Sequence, residues 1–180
     1  MSLTTNSSST GCHAVRSRTY AKQVFANNQE NIMSPVADPL VFPSVQWFQA
    51  LQHLVNEDPE FRRLGTVDAE MGVKIGPRVF VIIFEAFECI DVKEGIEGDL
   101  KDLDFYLELS EADWRELVEN TKANSGADRR HTLNTLDLTK EEGLSQNATG
   151  DQLRGDVFFR VNESIQYFFD ISARLDTVFE

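Results

Sequence analysis

Apolar positions in this chain follow different spacings, and each spacing predicts a different element. Between Ser44 and Asp58, the residues Val45, Phe48, Leu51, Leu54 and Val55 recur three and four apart, with Trp47 beside the stripe. That pattern predicts an amphipathic helix capped by the Ser44 hydroxyl. Asp58-Pro59 starts a short second turn through Phe61 and Leu64, because a proline at the first helical position gives up an N–H that has no partner anyway; Gly65 ends it. The period then shortens to two. Val67, Ala69, Met71, Val73 and Ile75 alternate with Thr66, Asp68, Glu70, Gly72 and Lys74, as in a half-buried strand, and Gly76-Pro77 turns the chain. Val79 to Phe84 is apolar at every position, so this strand is expected to lie centrally with both faces at least partly covered. Cys89, Ile90 and Val92 form a shorter third strand, and Phe105, Leu107 and Leu109 alternate in a fourth.

Ser110 with Asp113 predicts a capped helix that carries Trp114, Leu117 and Val118 inward. His131 to Leu138 places Leu133 and Leu136 at helical spacing over a short, ambiguous stretch. Lys93 to Asp104 is acidic and contains Gly95 and Gly98, which reads as a solvated connection, and Thr139 to Gly150 reads as a mobile loop. Leu153, Val157, Phe159 and Val161 alternate as a fifth strand, after which Asn162 caps a last helix carrying Ile165, Phe168, Phe169, Ser172 and Leu175. Together these elements predict an α+β fold, a five-stranded and mostly antiparallel sheet with helices packed on one face. Upstream, Pro35, Pro39 and Pro43 make a stiff extended approach, so residues 1–40 are expected to be a flexible polar tail and 41–180 one domain.

Composition supports that division. The chain has 180 residues, enough for one domain that removes roughly 70% of its unfolded surface from water without staples. Its formal charge is -13 and its pI near 4.6, which argues against nucleic acid and anionic membranes as partners, since both are bound by clustered Lys and Arg. The charge is uneven: Arg16, Arg18 and Lys22 against Glu30 give residues 1–30 a charge of +2, leaving -15 on the rest. Met1 to Thr10 is rich in Ser, Thr and Asn, as a disordered tail is, and also resembles a weak transit peptide. Cys12 and Cys89 encode neither a disulfide framework nor a CxxC site, so a reducing, cytoplasmic setting is expected. No segment approaches the ~18 apolar residues of a membrane span, and no secretory signal opens the chain. The sequons at Asn6, Asn147 and Asn162 are therefore expected to go unmodified.

Local signatures of catalysis are missing: no GxSxG elbow, HExxH, Walker loop or GxGxxG occurs. His13, His53 and His131 are far apart, and His53 falls on the polar side of the first helix. Asp91, Glu94, Glu97, Asp99 and Asp102 suggest calcium, but Lys93 and Ile96 stand where a calcium loop needs an oxygen donor and a glycine. No metal or cofactor is expected. Glu85 and Glu88 flank Phe87, and as a buried pair they could move protons; as an outward strand end they would not. What remains is apolar excess. Phe80, Ile82 and Phe84, Phe105 and Leu107, Trp114 and Leu117, and Phe168 and Phe169 converge if helices cover one sheet face. On this pattern alone an ordinary packed core is the first expectation, because close packing leaves few voids, and periodicity itself does not distinguish a core from a cavity lining.

The passage Ser44-Val-Gln-Trp-Phe-Gln-Ala-Leu-Gln-His-Leu-Val-Asn56, followed by Asp58-Pro-Glu-Phe61, resembles the opening helix of sterol-carrier-protein type 2 domains. Asp104-Phe-Tyr-Leu-Glu-Leu-Ser-Glu-Ala-Asp-Trp114-Arg-Glu-Leu117 is similar to the strand-into-helix segment of the same family. The two matches fall in the family's order and cover about residues 41 to 122. The resemblance implies a five-stranded sheet, helices over one face, and an apolar tunnel between them that binds sterols, fatty acids or fatty acyl-CoA without catalysis. Trp114 and Leu117 would line it with Phe105 and Leu107. Beyond residue 123 the chain departs from the family, with the polar loop Thr139 to Gly150 and the aromatic-rich segment Val157 to Phe169; its end, Val178-Phe179-Glu180, is no peroxisomal address. The leading expectation is thus a non-catalytic carrier of an apolar small molecule, with the nine converging residues as the binding set. The alternatives are an isomerase or hydratase using Glu85 or Glu88, and an interaction module, including a homodimer, whose interior is filled by its own side chains.

Overall fold

The computed structural model of the chain describes residues 38–179, so the expectations for the tail lie outside the described residues apart from its last three positions. The caps predicted from sequence set the helix starts. The Ser44 hydroxyl accepts a hydrogen bond from the Trp47 N–H at 3.1 Å and opens α1 (Val45–Glu57). Asp58 accepts from the Glu60 N–H at 3.0 Å and opens α2 (Pro59–Arg63) with proline in first place. Ser110 accepts from the Asp113 N–H at 3.1 Å and opens α3 (Glu111–Asn124). Each satisfies a backbone donor that the first helical turn cannot use internally.

The remaining elements are β1 (Leu40–Phe42), β2 (Ala69–Ile75), β3 (Arg78–Glu85), β4 (Glu88–Gly95), β5 (Phe105–Leu109), α4 (Leu133–Thr139), β6 (Ser145–Gln146), α5 (Gln152–Asp170) and β7 (Thr177–Phe179). The fold is α+β. Its five-stranded sheet runs β4-β3-β2-β5-β6, antiparallel except for the β2–β5 pair, and β1 and β7 form a separate two-stranded parallel ladder. The all-apolar β3 is central and divides its side chains between two cores. Phe80, Ile82 and Phe84 enter the main core beneath the helices, whereas Val79 and Val81 enter a smaller one on the opposite face.

That smaller core corrects the reading of Lys93 to Asp104 as a solvated connection. β4 continues to Gly95, a 3-10 turn follows at Glu97–Lys101, and Leu100 and Leu103 are buried against Val79 and Val81. Acidic side chains face water while two leucines seal the sheet. Gly72 lies beneath them: a Cβ there would sit 2.8 Å from the Tyr106 Cβ and 2.9 Å from Leu100 Cδ2.

The predicted fifth strand over Leu153 to Val161 is instead the first half of α5, and Asn162 lies inside that helix rather than capping one. Its cap is Asp151, which accepts from the Leu153 N–H at 2.9 Å. The buried stripe is Val157, Phe158, Val161, Ile165, Phe168 and Phe169, at helical spacing; Leu153 and Phe159, which supplied the alternation, are exposed. Ser172 falls in a 3-10 turn, Ile171–Arg174, just past the helix, and Leu175 is the residue that ends that turn. The fifth strand is β6, inside the stretch expected to be mobile. There the Asp137 carboxylate accepts from the N–H groups of Leu144 and Ser145, at 2.8 and 2.9 Å, and the Asn147 amide donates to the Asp104 carbonyl at 2.7 Å.

Candidate functional site

The nine residues expected to bind an apolar ligand come from β3, β5, α3 and α5, and the structure brings all nine into one buried cluster. Trp114 is fixed at its polar end, its indole N–H donating to the Lys74 carbonyl at 3.2 Å, while the rest of the ring is buried in the cluster. Ring pairs then bridge the layer. Trp114 meets Phe169 at 5.4 Å between centroids, Phe168 meets Phe169 at 5.5 Å and Phe84 at 5.4 Å, and Phe105 meets Phe158 at 5.5 Å. These are contact separations for aromatic pairs. Phe158 was not among the nine because its place on the buried stripe of α5 appears only once the segment is helical.

Depressions on the surface have other linings. The one between α2 and the β3–β4 turn is about 400 Å³ and is lined by Arg62, Glu85, Ala86, Phe87, Glu88 and Ile90. Another, about 330 Å³, lies between α4 and α5 and is lined by Thr132, Leu133, Asn134, Asn162, Glu163 and Gln166. Glu85 and Glu88 are exposed, and Glu88 pairs with Arg62 at 2.7 Å, so they form the outward strand end and not a buried acid pair. His53 is exposed and lies 3.6 Å from Glu57.

Three polar arrangements escaped the sequence reading. Asp58 is buried: its second oxygen accepts from the Tyr167 hydroxyl at 3.0 Å and pairs with Arg174 at 2.7 Å. The Glu60 N–H, then Tyr167 and Arg174, hold its carboxyl below the usual range against the cost of burial, tying the α1–α2 corner to the end of α5. His131 lies between two carboxylates, Nδ1 2.7 Å from Asp128 and Nε2 3.1 Å from Glu116. Asp128 foremost, then Glu116, raise the imidazole pKa, and Asp128 is driven well below the usual carboxylate range. The third is a row of amides on α1. Asn56 and Gln52 donate to the Cys89 carbonyl, each at 2.9 Å, the Cys89 N–H donates to the Asn56 oxygen at 2.8 Å, and Gln49 donates to the Val92 carbonyl at 3.4 Å. They occupy backbone groups of the sheet's edge strand, β4. Three amides at positions 49, 52 and 56, on one helix face, were the available signal.

Cys89 itself is buried, which pushes its thiol up to about 12. Among the described residues no group of three or more His, Cys, Asp or Glu side chains could hold a metal ion, and no helix is long and apolar enough to cross a membrane. Comparison with protein-family models, with curated proteins and with solved structures finds no match. The resemblance to sterol-carrier-protein type 2 domains rests on the two sequence passages alone.

Proposed function

We propose that the domain is a non-catalytic interaction module whose interior is filled by its own side chains. The observation that carries this is the run of ring contacts from Phe84 through Phe168 and Phe169 to Trp114, in the layer where a ligand tunnel was expected. A ligand there would have to part these pairs and find room among close-packed neighbours, losing dispersion contacts it must replace. A cytoplasmic setting goes with this reading, supported by a sequence without a cysteine framework. The enzyme alternative has less support, because Glu85 and Glu88 stand in solvent.

The second reading, a carrier of a sterol, fatty acid or fatty acyl-CoA, is favoured by one observation: residues from sheet, α3 and α5 meet in a single apolar layer. One experiment separates the two. Native mass spectrometry of the purified chain, and titration of delipidated protein with a fatty acid and a sterol probe while tryptophan emission is followed, are expected to show neither co-purifying lipid nor saturable binding. Saturable binding that disappears in Leu107→Glu, with folding checked by circular dichroism, and whose emission change disappears in Trp114→Phe, would establish the carrier.

A further inference from the structure

Of seven large apolar side chains exposed among the described residues, three come from α4 and the first half of α5: Leu138, Leu153 and Phe159, exposed 85%, 79% and 58%. The two helices run antiparallel, since the Leu133 N–H donates to Gln166 at 2.7 Å and the Asn134 amide to Asn162 at 3.4 Å. Leu138, one turn past Asn134, therefore lies on the side of Phe159, one turn before Asn162.

Two further features mark this half-helix. Gly155, one turn before Phe159, has nothing within 4 Å of where its Cβ would be, so a half-buried position in the first turn of α5 carries the least favourable non-proline helix residue beside open space. Charge is the second. Residues 152–163 carry Arg154, Arg160, Asp156 and Glu163 and are neutral within a chain of -13. Arg154 is engaged, donating to the carbonyls of Lys101 and Leu103 at 3.1 and 3.4 Å, whereas Asp156 and Arg160 are exposed and make no ion pair among the described residues.

We propose that the exposed face of α5 is a homodimer interface, formed when α5 pairs antiparallel with α5 of a second copy about a two-fold axis that crosses this face at the height midway between Asp156 and Phe159. The proposal rests on the interaction-module reading and names its partner. Such an axis sets Phe159 and Arg160 across from Asp156 and Gly155 of the second copy, within one or two residues' rise of 1.5 Å. The Phe159 ring seats on the space over the glycine, and Arg160 reaches Asp156 of the second copy. Symmetry repeats both contacts. A basic partner would be drawn to the strongly acidic surface elsewhere, whereas this face carries Asp156 and Arg160 one turn apart, so two copies can meet there with opposite charges facing.

The test is light scattering or sedimentation of the full chain over a concentration series at physiological ionic strength. The mass is expected to rise from 20.4 kDa toward twice that value. Asp156→Arg and Arg160→Asp, both at exposed positions and checked by circular dichroism, should each weaken association at least about tenfold, because like charges then face each other twice. An equimolar mixture of the two variants should restore it, since every facing pair is again opposite in sign. A wild-type chain that stays monomeric, a dimer indifferent to both substitutions, or a mixture that does not associate would each overturn the proposal. None of these touches the reading of the interior, which falls only if a saturable apolar ligand is found.

Discussion

Gly72→Ala is expected to destabilise the fold. The added methyl would lie 2.8 Å from the Tyr106 Cβ, 2.9 Å from Leu100 Cδ2 and 3.0 Å from Leu103 Cδ1. The leucine tips could shift by rotation, but the Tyr106 Cβ is bonded directly to the backbone of β5 and moves only with it, and Tyr106 is the register partner of Gly72 in the parallel pair. Relief requires the two strands to separate or the 3-10 turn to lift, which opens the smaller core of Val79, Val81, Leu100 and Leu103. Overpacking of this kind costs about 1–3 kcal/mol, and the lower entropy of an unfolded chain with alanine returns about 0.4–1 kcal/mol, leaving a net loss of about 1.3 kcal/mol at the middle of the two ranges. For a chain of this size that corresponds to a melting temperature lower by roughly 3–5 °C. Thermal melts followed by far-ultraviolet circular dichroism would measure it. The matching control is Gly155→Ala in dilute solution, below the concentration of self-association. With open space at that site, it should raise stability by about 0.5–1 kcal/mol. A Gly72→Ala protein that melts with or above the wild type would refute the account of the second sheet face.

Two further outcomes follow from titratable groups. His131 has its pKa raised by Asp128 and Glu116, so its contribution to stability is fully present below the unfolded value of about 6.5 and is lost as pH rises through the higher folded value. His131→Gln should therefore lower the urea midpoint more at about pH 6 than at about pH 8, and an equal loss at both would remove the ion pair from the argument. Cys89, with its thiol pushed up to about 12 by burial, should react with a chromogenic disulfide in the Cys12→Ser protein only as fast as the fold opens; rapid stoichiometric labelling under native conditions would contradict that burial.

What was legible in the sequence was what is local. Ser44, Asp58 and Ser110 mark helix starts because a cap and the N–H groups it serves lie within three residues of each other. β2, β3 and β5 were legible because one or both of their faces are dry. β6 was not: two residues carry no period, and the strand is held by Asp137 and Asn147 from outside itself. The first half of α5 was misread because Leu153 and Phe159, apolar yet exposed, complete a period of two with Val157 and Val161. The covering of the second face followed in principle from the all-apolar β3, but two leucines within an acidic stretch do not announce themselves as its cover. The nine converging residues were identified as one layer; whether they enclose a gap depends on distances between elements, and residue spacing within elements carries none of those.

The row of amides along α1 has a consequence for how the molecule opens. An edge strand ordinarily exchanges its outward N–H groups with solvent freely and offers them to any passing chain. Here the Cys89 N–H is held by Asn56, and the Cys89 and Val92 carbonyls by Gln52, Asn56 and Gln49. The Cys89 amide should therefore exchange slowly for as long as α1 stays docked, and release of α1 should bare the sheet edge in the same event, making helix and strand one unit of local unfolding.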